Sequence, residues 1–305
     1  MVLSTRFILF MATNFAILIV MALVMLLLSY FLGIPDFIRS GTFAGILAGA
    51  LVYGMTGALV SLAISKWIAL RETKAKIIVM PADADEAWLK STLERLASRA
   101  GIGMPDVAIY ESDDPNAFST GMRRDHALVA VSSRLMKDMD RDQLQAVLGH
   151  EVAHIANGDM VTMTLLTGVL NAFVIFIGQY VIRGLLTSLE RSGRSSVATT
   201  LGAILVTFLL QLCLGVLATA VVMAFCRHRE LRADAGGAKL AGKTSMISAL
   251  KRLGALEDQQ PKQALPKALK AFGVHEPAGG WGAGWFLSHP PLEQRIMALE
   301  KMQAS

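Results

Sequence analysis

Charge is what this sequence has least of. Of its 305 residues only 17% are charged and 53% are hydrophobic, whereas a soluble domain carries about a quarter charged residues. The mean hydropathy is +0.49. The deficit is concentrated in residues 7–32, 41–65, 160–182 and 195–226, which contain no Asp, Glu, Lys or Arg. Each exceeds the roughly 20 apolar residues that cross a hydrocarbon core as a helix, while a buried core helix accounts for runs of about 10 to 14. The four segments predict an integral membrane protein. The first is too long for a signal-peptide core, and no small-residue cleavage site leading into a soluble domain follows it, so it reads as a retained anchor. Ionisable groups are missing inside all four spans, which argues against a transporter.

Cysteine is nearly absent. Cys213 and Cys226 both lie on the fourth segment, about 20 Å apart on a helix, too far to bridge. This leaves neither a disulfide framework nor a cysteine metal cluster. The net charge of +5 does not point to nucleic acid, and no nucleic-acid partner is expected. The basic residues gather beside span ends, at Lys66, Arg71, Lys74 and Lys76 and at Arg227, Arg229 and Arg232, as cytosolic flanks do.

What is present is two hydrophobic hairpins punctuating two polar regions. Residues 1–70 form an N-terminal transmembrane hairpin (spans 7–32 and 41–65), and residues 71–159 form a polar region. Residues 160–226 form a second hairpin (spans 160–182 and 195–226), and residues 227–305 form the C-terminal polar region. Two spans per hairpin put both polar regions on one side, and the Lys/Arg bias makes that side cytosolic. Arg183, Arg191 and Arg194, between the third and fourth spans, run against that bias; the second hairpin either stops short of crossing or departs from the rule. Gly41, Gly45 and Gly49 make a small-residue face for close helix packing.

The first polar region reads as mixed α/β. "ADEAWLKSTLERLASRAG" is an amphipathic helix ending at Gly101. Strand-like runs follow at residues 106–112, 116–121 and 126–132. "DRDQLQAVLGHEVAHIANGD" then opens a helix with Asp140 as N-cap and Gln143 three residues on, and Asn157-Gly158 stops it. A glycine-rich loop is expected at residues 275–286.

On that helix His150 and His154 share one face, four residues apart. Two imidazoles so spaced can grip one Zn²⁺, with Glu151 beside the metal as a base for its water: the H-E-x-x-H pattern. A hydrolytic zinc needs a third protein ligand and an open fourth position. His126, His228, His275 and Glu230 are the candidates. Glu230 and Asp234, one turn apart, suit a ligating carboxylate and a second carboxylate that orients an imidazole.

"AVLGHEVAHIANGDMVTMTLLTGV", "HRELRADAGGAKLAG", "NAFSTG" and "SHPPLEQRI" together resemble the HtpX heat-shock membrane proteases, bacterial relatives of the CAAX prenyl proteases among the gluzincins. The likeness extends over nearly the whole chain. It implies that Glu230 is the third ligand in an E-x-x-x-D pattern, that Asp234 is its partner, and that one zinc is held per subunit. It implies that Asn116, Ala117, Phe118, Ser119, Thr120 and Gly121 line the substrate cleft as an edge strand that pairs with an extended peptide. It brings His289 and Arg295 near the metal, His289 as oxyanion stabiliser or zinc cap. The fold expected is a mainly α integral membrane protein, two transmembrane hairpins plus a cytosolic α+β zincin-type metalloprotease domain. The expected function is zinc-dependent endoproteolysis of unfolded or damaged membrane proteins at the bacterial inner membrane, in heat-shock quality control, overlapping an ATP-dependent membrane protease.

Rival readings make different demands. Intramembrane proteolysis would put the zinc motif inside a span, but Asp140, Arg141 and Asp142 open its helix and the uncharged run begins only after Asp159. A non-catalytic zinc-binding chaperone or adaptor would keep a closed site, usually of four Cys or His. A His, His, Glu set with Glu151 intact favours catalysis. Met160 follows His154 by six residues, about 9 Å along a continuing helix, so the chemistry is expected beside the membrane.

Overall fold

The computed structural model describes residues 41–259 and 290–302. The first predicted span, the glycine-rich loop with His275, and His289 lie outside them. The described chain is mostly helical, and it divides into two compact units. The first comprises residues up to Leu62 with Met163–Val222, the second Ala63–Thr162 with the residues from Met223 onward.

Three helices are long and apolar enough to cross a membrane among the described residues: α1 (Phe43–Thr73), α5 (Asp159–Arg191) and α6 (Val197–Ala241). All three run past the uncharged segments, because nothing in the flanking charged turns breaks a helix. Large apolar side chains such as Leu201, Leu205, Phe208 and Leu217 on α6 are exposed; in water they would be a liability, in lipid they are solvated. The glycine face of the first unit differs from expectation. Gly45 and Gly49 are buried, but Gly41 precedes the helix in a left-handed conformation. The close approach is made instead by Gly54, where a Cβ would stand 2.4 Å from the backbone nitrogen of Ala172.

The second unit is built on a four-stranded sheet of order β1-β2-β4-β3: β1 (Lys76–Ile77), β2 (Asp106–Tyr110), β3 (Ala117–Thr120) and β4 (Leu128–Ser132). β2 and β4 run parallel, with Val107 opposite Val129, while β1 and β3 are antiparallel to their neighbours. β4 is buried along its whole length, which suits its apolar run, and β3 takes the edge beside it. Helices α2 (Ala84–Ala100), α3 (Ser133–Asp138), α4 (Arg141–Asn157), α7 (Lys243–Gln259) and α8 (Leu292–Lys301) complete the unit. Leu89, Leu93 and Leu96 of α2 meet Leu144, Leu148 and Val152 of α4, Val129 and Val131 of β4, and Leu250 and Leu299 of α7 and α8 in one core. Each fully buried leucine contributes about 1.5–3 kcal/mol.

The caps at Gly101, Asp140, Gln143 and Gly158 follow the sequence, and Asp83 adds one not expected from it. Asp83 accepts from the amides of Asp85 and Glu86 to start α2, and Gly101 ends it in the left-handed region. Asp140 and Gln143 form a reciprocal capping box on α4, and Gly158, at φ +69°, ends that helix. The chain therefore does not run straight from His154 into α5; it turns at Gly158 and restarts at Asp159. The expected strands shorten at their ends, and His126 closes a 3-10 turn (Arg124–His126) ahead of β4.

Candidate metal centre

α4 supplies His150 and His154 from one face, both buried with Glu151. α6 supplies Glu230, also buried. Two glycines of α6 permit that meeting. A Cβ on Gly237 would lie 2.9 Å from the backbone nitrogen of His150, and one on Gly236 would lie 2.6 Å from the Ala153 Cβ. Any side chain there would hold the helices apart.

The three side chains offer ligand atoms that all lie within 4.8 Å of one another. His150 Nε2 is 3.0 Å from His154 Nε2 and 3.5 Å from Glu230 Oε2, and His154 Nε2 is 3.3 Å from Glu230 Oε1. Ligands about 2.0–2.2 Å from a tetrahedral zinc stand about 3.3–3.6 Å apart, so the triangle has the size of one tetrahedral face. The outer imidazole nitrogens are occupied. His154 Nδ1 is 2.7 Å from Asp159 Oδ2, and His150 Nδ1 is 2.9 Å from Asp234 Oδ1, off the line of a straight hydrogen bond. With Nδ1 of each ring turned to a carboxylate, both Nε2 lone pairs and the Glu230 carboxylate converge on one point. Three acceptors so placed repel unless a cation or a proton sits between them. The donor set fits zinc.

Electrostatics says the same. Burial opposes a charge on His150, yet Asp234, Glu230 and Glu151 outweigh it and push its pKa up to about 9. Burial likewise works against His154, and Asp159 with Glu230 raise its pKa on balance. The carboxylates are themselves held. Arg295 grips Asp234 through two bonds of 2.7 Å, Nε to Oδ2 and Nη2 to Oδ1. Burial pushes the Asp234 carboxyl up, but Arg295 and His150 bring it below the usual range. Arg232 reaches Asp159 Oδ1 at 2.5 Å, and Arg229 lies 3.2 Å from Glu230 Oε1.

Beside this cluster is a cavity of about 240 Å³ lined by Asn116, Ala117, His150, Glu151, Glu230 and Arg295, among others. Glu151 therefore faces the same space as two of the three candidate ligands without being one of them. β3, carrying Ala117, Phe118, Ser119 and Thr120, is the edge strand at that cavity, with Asn116 and Gly121 at its two ends. Of the other histidines weighed as ligands, His126 and His228 are exposed and stand outside the cluster. Sequence reasoning missed Asp159 and Arg232. Asp159 was legible only as the last charge before a span; its role depends on the turn at Gly158, which returns it to the ring of His154.

Residues 83–303 match peptidase family M48. The chain is 47% identical over 300 residues to "Protease HtpX" of Alkalilimnicola ehrlichii, covering 96% of each. It is 46% identical over 295 residues to "Protease HtpX" of Stenotrophomonas maltophilia, covering 97% of each. Its fold is similar to that of the "Crystal Structure of S. mikatae Ste24p", with a TM-score of 0.62 at 18% identity, over 93% of this chain and 67% of that one.

Proposed function

The chain belongs to peptidase family M48 and is a membrane metalloprotease, and we propose that it is a zinc endopeptidase in which Glu151 is the general base. The observation that carries this reading is the convergence of His150 Nε2, His154 Nε2 and the Glu230 carboxylate on one point, with Glu151 on the adjoining cavity. Zinc held there would bring the pKa of water to about 7 and polarise the scissile carbonyl. Glu151, on the adjoining cavity, would take a proton from the attacking water and return it to the leaving amine. Asp234 with Arg295, and Asp159 with Arg232, fix the two imidazoles in the tautomer that leaves Nε2 free. The outer edge of β3 offers backbone groups to an extended peptide, which gives affinity with tolerance of many sequences. His289 is proposed as an oxyanion donor or a cap on the metal, by family likeness alone.

The substrates proposed are unfolded or damaged membrane proteins, met on their cytosolic segments at the bacterial inner membrane. The likeness to HtpX supports this reading, as it supports heat-shock quality control shared with an ATP-dependent membrane protease. Asp159 both orients His154 and begins α5, a helix apolar enough to cross a membrane, so a substrate anchored in the same bilayer meets the cleft at a raised effective concentration. The full chain in vesicles, given an unfolded tail either anchored or free, tests this. Cleavage should be faster for the anchored tail, vanish on chelation and return with zinc. Undiminished cleavage after complete metal removal would contradict the zinc chemistry, and equal rates for both tails would contradict the proximity argument.

A further inference from the structure

A second cavity, of about 300 Å³, also reaches His154, and the mechanism above makes no use of it. It begins where β3 ends, at Thr120 and Gly121, and Arg123, Arg124, Asn157 and Thr162 are among its polar residues. Its polar lining is unbalanced. Asn157 Nδ2 is a buried donor with no partner, which native proteins seldom leave so. Arg123 and Arg124 form no ion pair with any described residue. The one carboxylate on the wall, Asp159, is committed to His154 and Arg232. The Arg124 guanidinium rests over Gly158, with Nη2 3.1 Å from where a Cβ would stand, so that glycine leaves room for the group as well as turning the chain. Met122, Ile155 and Met160 line the same space. The cavity thus offers two cations and an amide donor between apolar walls. It calls for an acceptor carried on a short aliphatic stem.

We propose that this cavity is a substrate subsite for an acidic side chain, about three or four residues upstream of the scissile bond. The inference rests on the peptidase reading given above and deepens it. Asn116 and Ala117 line the cavity at Glu151, and Thr120 and Gly121 line this one, a step of about 10–14 Å along a strand. A peptide on the free edge of β3 pairs better antiparallel than parallel. Its N-terminal side then points toward Gly121. A glutamate there would meet both guanidiniums and satisfy Asn157 through charge-assisted hydrogen bonds; a lysine would meet two like charges.

The test uses the full chain, metal-loaded and reconstituted in vesicles, with peptides differing only in Glu, Gln or Lys at the third or fourth residue before the cleaved bond. The expected order of kcat/KM is Glu, Gln, Lys, with about tenfold or more between the extremes. Arg123→Glu combined with Arg124→Glu should invert that order in protein whose metal content matches the wild type. A flat series, an order unmoved by the double reversal, or an acidic preference confined to residues after the cleaved bond would overturn the subsite while leaving the peptidase chemistry intact. Failure of the wild-type protein to cleave any of the peptides would sink both.

Discussion

At the residue scale, the candidate metal pair is legible because its geometry is local: four residues on one helix fix the relation of His150 to His154 whatever the rest of the chain does. The candidate third ligand is less legible, since a carboxylate about 80 residues away is brought in by tertiary packing; residue chemistry leaves Glu230 among rivals, and only the family likeness favours it. Among the described residues Glu230 is buried beside His150 and His154, whereas His228 is exposed. Glu230→Ala should therefore empty the site after dialysis and His228→Ala should leave it full, as elemental analysis would read; the opposite pattern would move the ligand. Asp159→Asn should keep the three ligands and still weaken metal binding roughly 10- to 100-fold, because His154 loses its orienting carboxylate.

A proton competes for the same place. In the metal-free protein His150 is raised to about 9, so its charged form adds stability that is complete below about pH 6.5 and lost as the pH climbs through about 9. Metal must displace that proton. Apparent affinity should rise with pH and level off above about 9, since burial is outweighed by the carboxylates around His150 and they hold its proton up to there. A competition titration that found no dependence on pH would show that His150 carries no proton in the empty site.

At the scale of elements, helix ends were the most readable feature. Gly101, Asp140, Gln143 and Gly158 act where the sequence puts them, because a cap depends on three or four consecutive residues. The contacts between helices were less readable. Gly236 and Gly237 show no periodicity, and their purpose appears only when the partner helix is known. Gly237→Ala would place a Cβ 2.9 Å from the His150 backbone nitrogen. The expected cost is about 1–3 kcal/mol, with a drop in metal affinity as α6 draws Glu230 away. Unchanged melting and unchanged metal binding would mean that α4 and α6 yield without consequence. The glycine face of α1 carries the same lesson: spacing suggested Gly41, whereas Gly54 makes the close contact with Ala172.

At the scale of the whole molecule, composition was enough for the class. A charge deficit gathered into segments longer than 20 residues has few explanations besides a bilayer, and α1, α5 and α6 bear it out. Orientation is a further step, resting on the Lys/Arg bias. Reporter fusions after Lys76 and at the C-terminus should both respond as cytosolic. Opposite responses would mean an odd number of crossings between them, and His150 and Glu230 could not then belong to one cytosolic site.

The most direct measurement compares wild-type protein with Glu151→Gln, purified whole and reconstituted side by side, for zinc content and for cleavage of an unfolded substrate. Glu151 is a base and not a ligand in this account, so the variant should hold as much zinc as the wild type while cleavage falls by about 10²- to 10⁴-fold. A variant that keeps its zinc and cleaves at close to the wild-type rate would contradict the account.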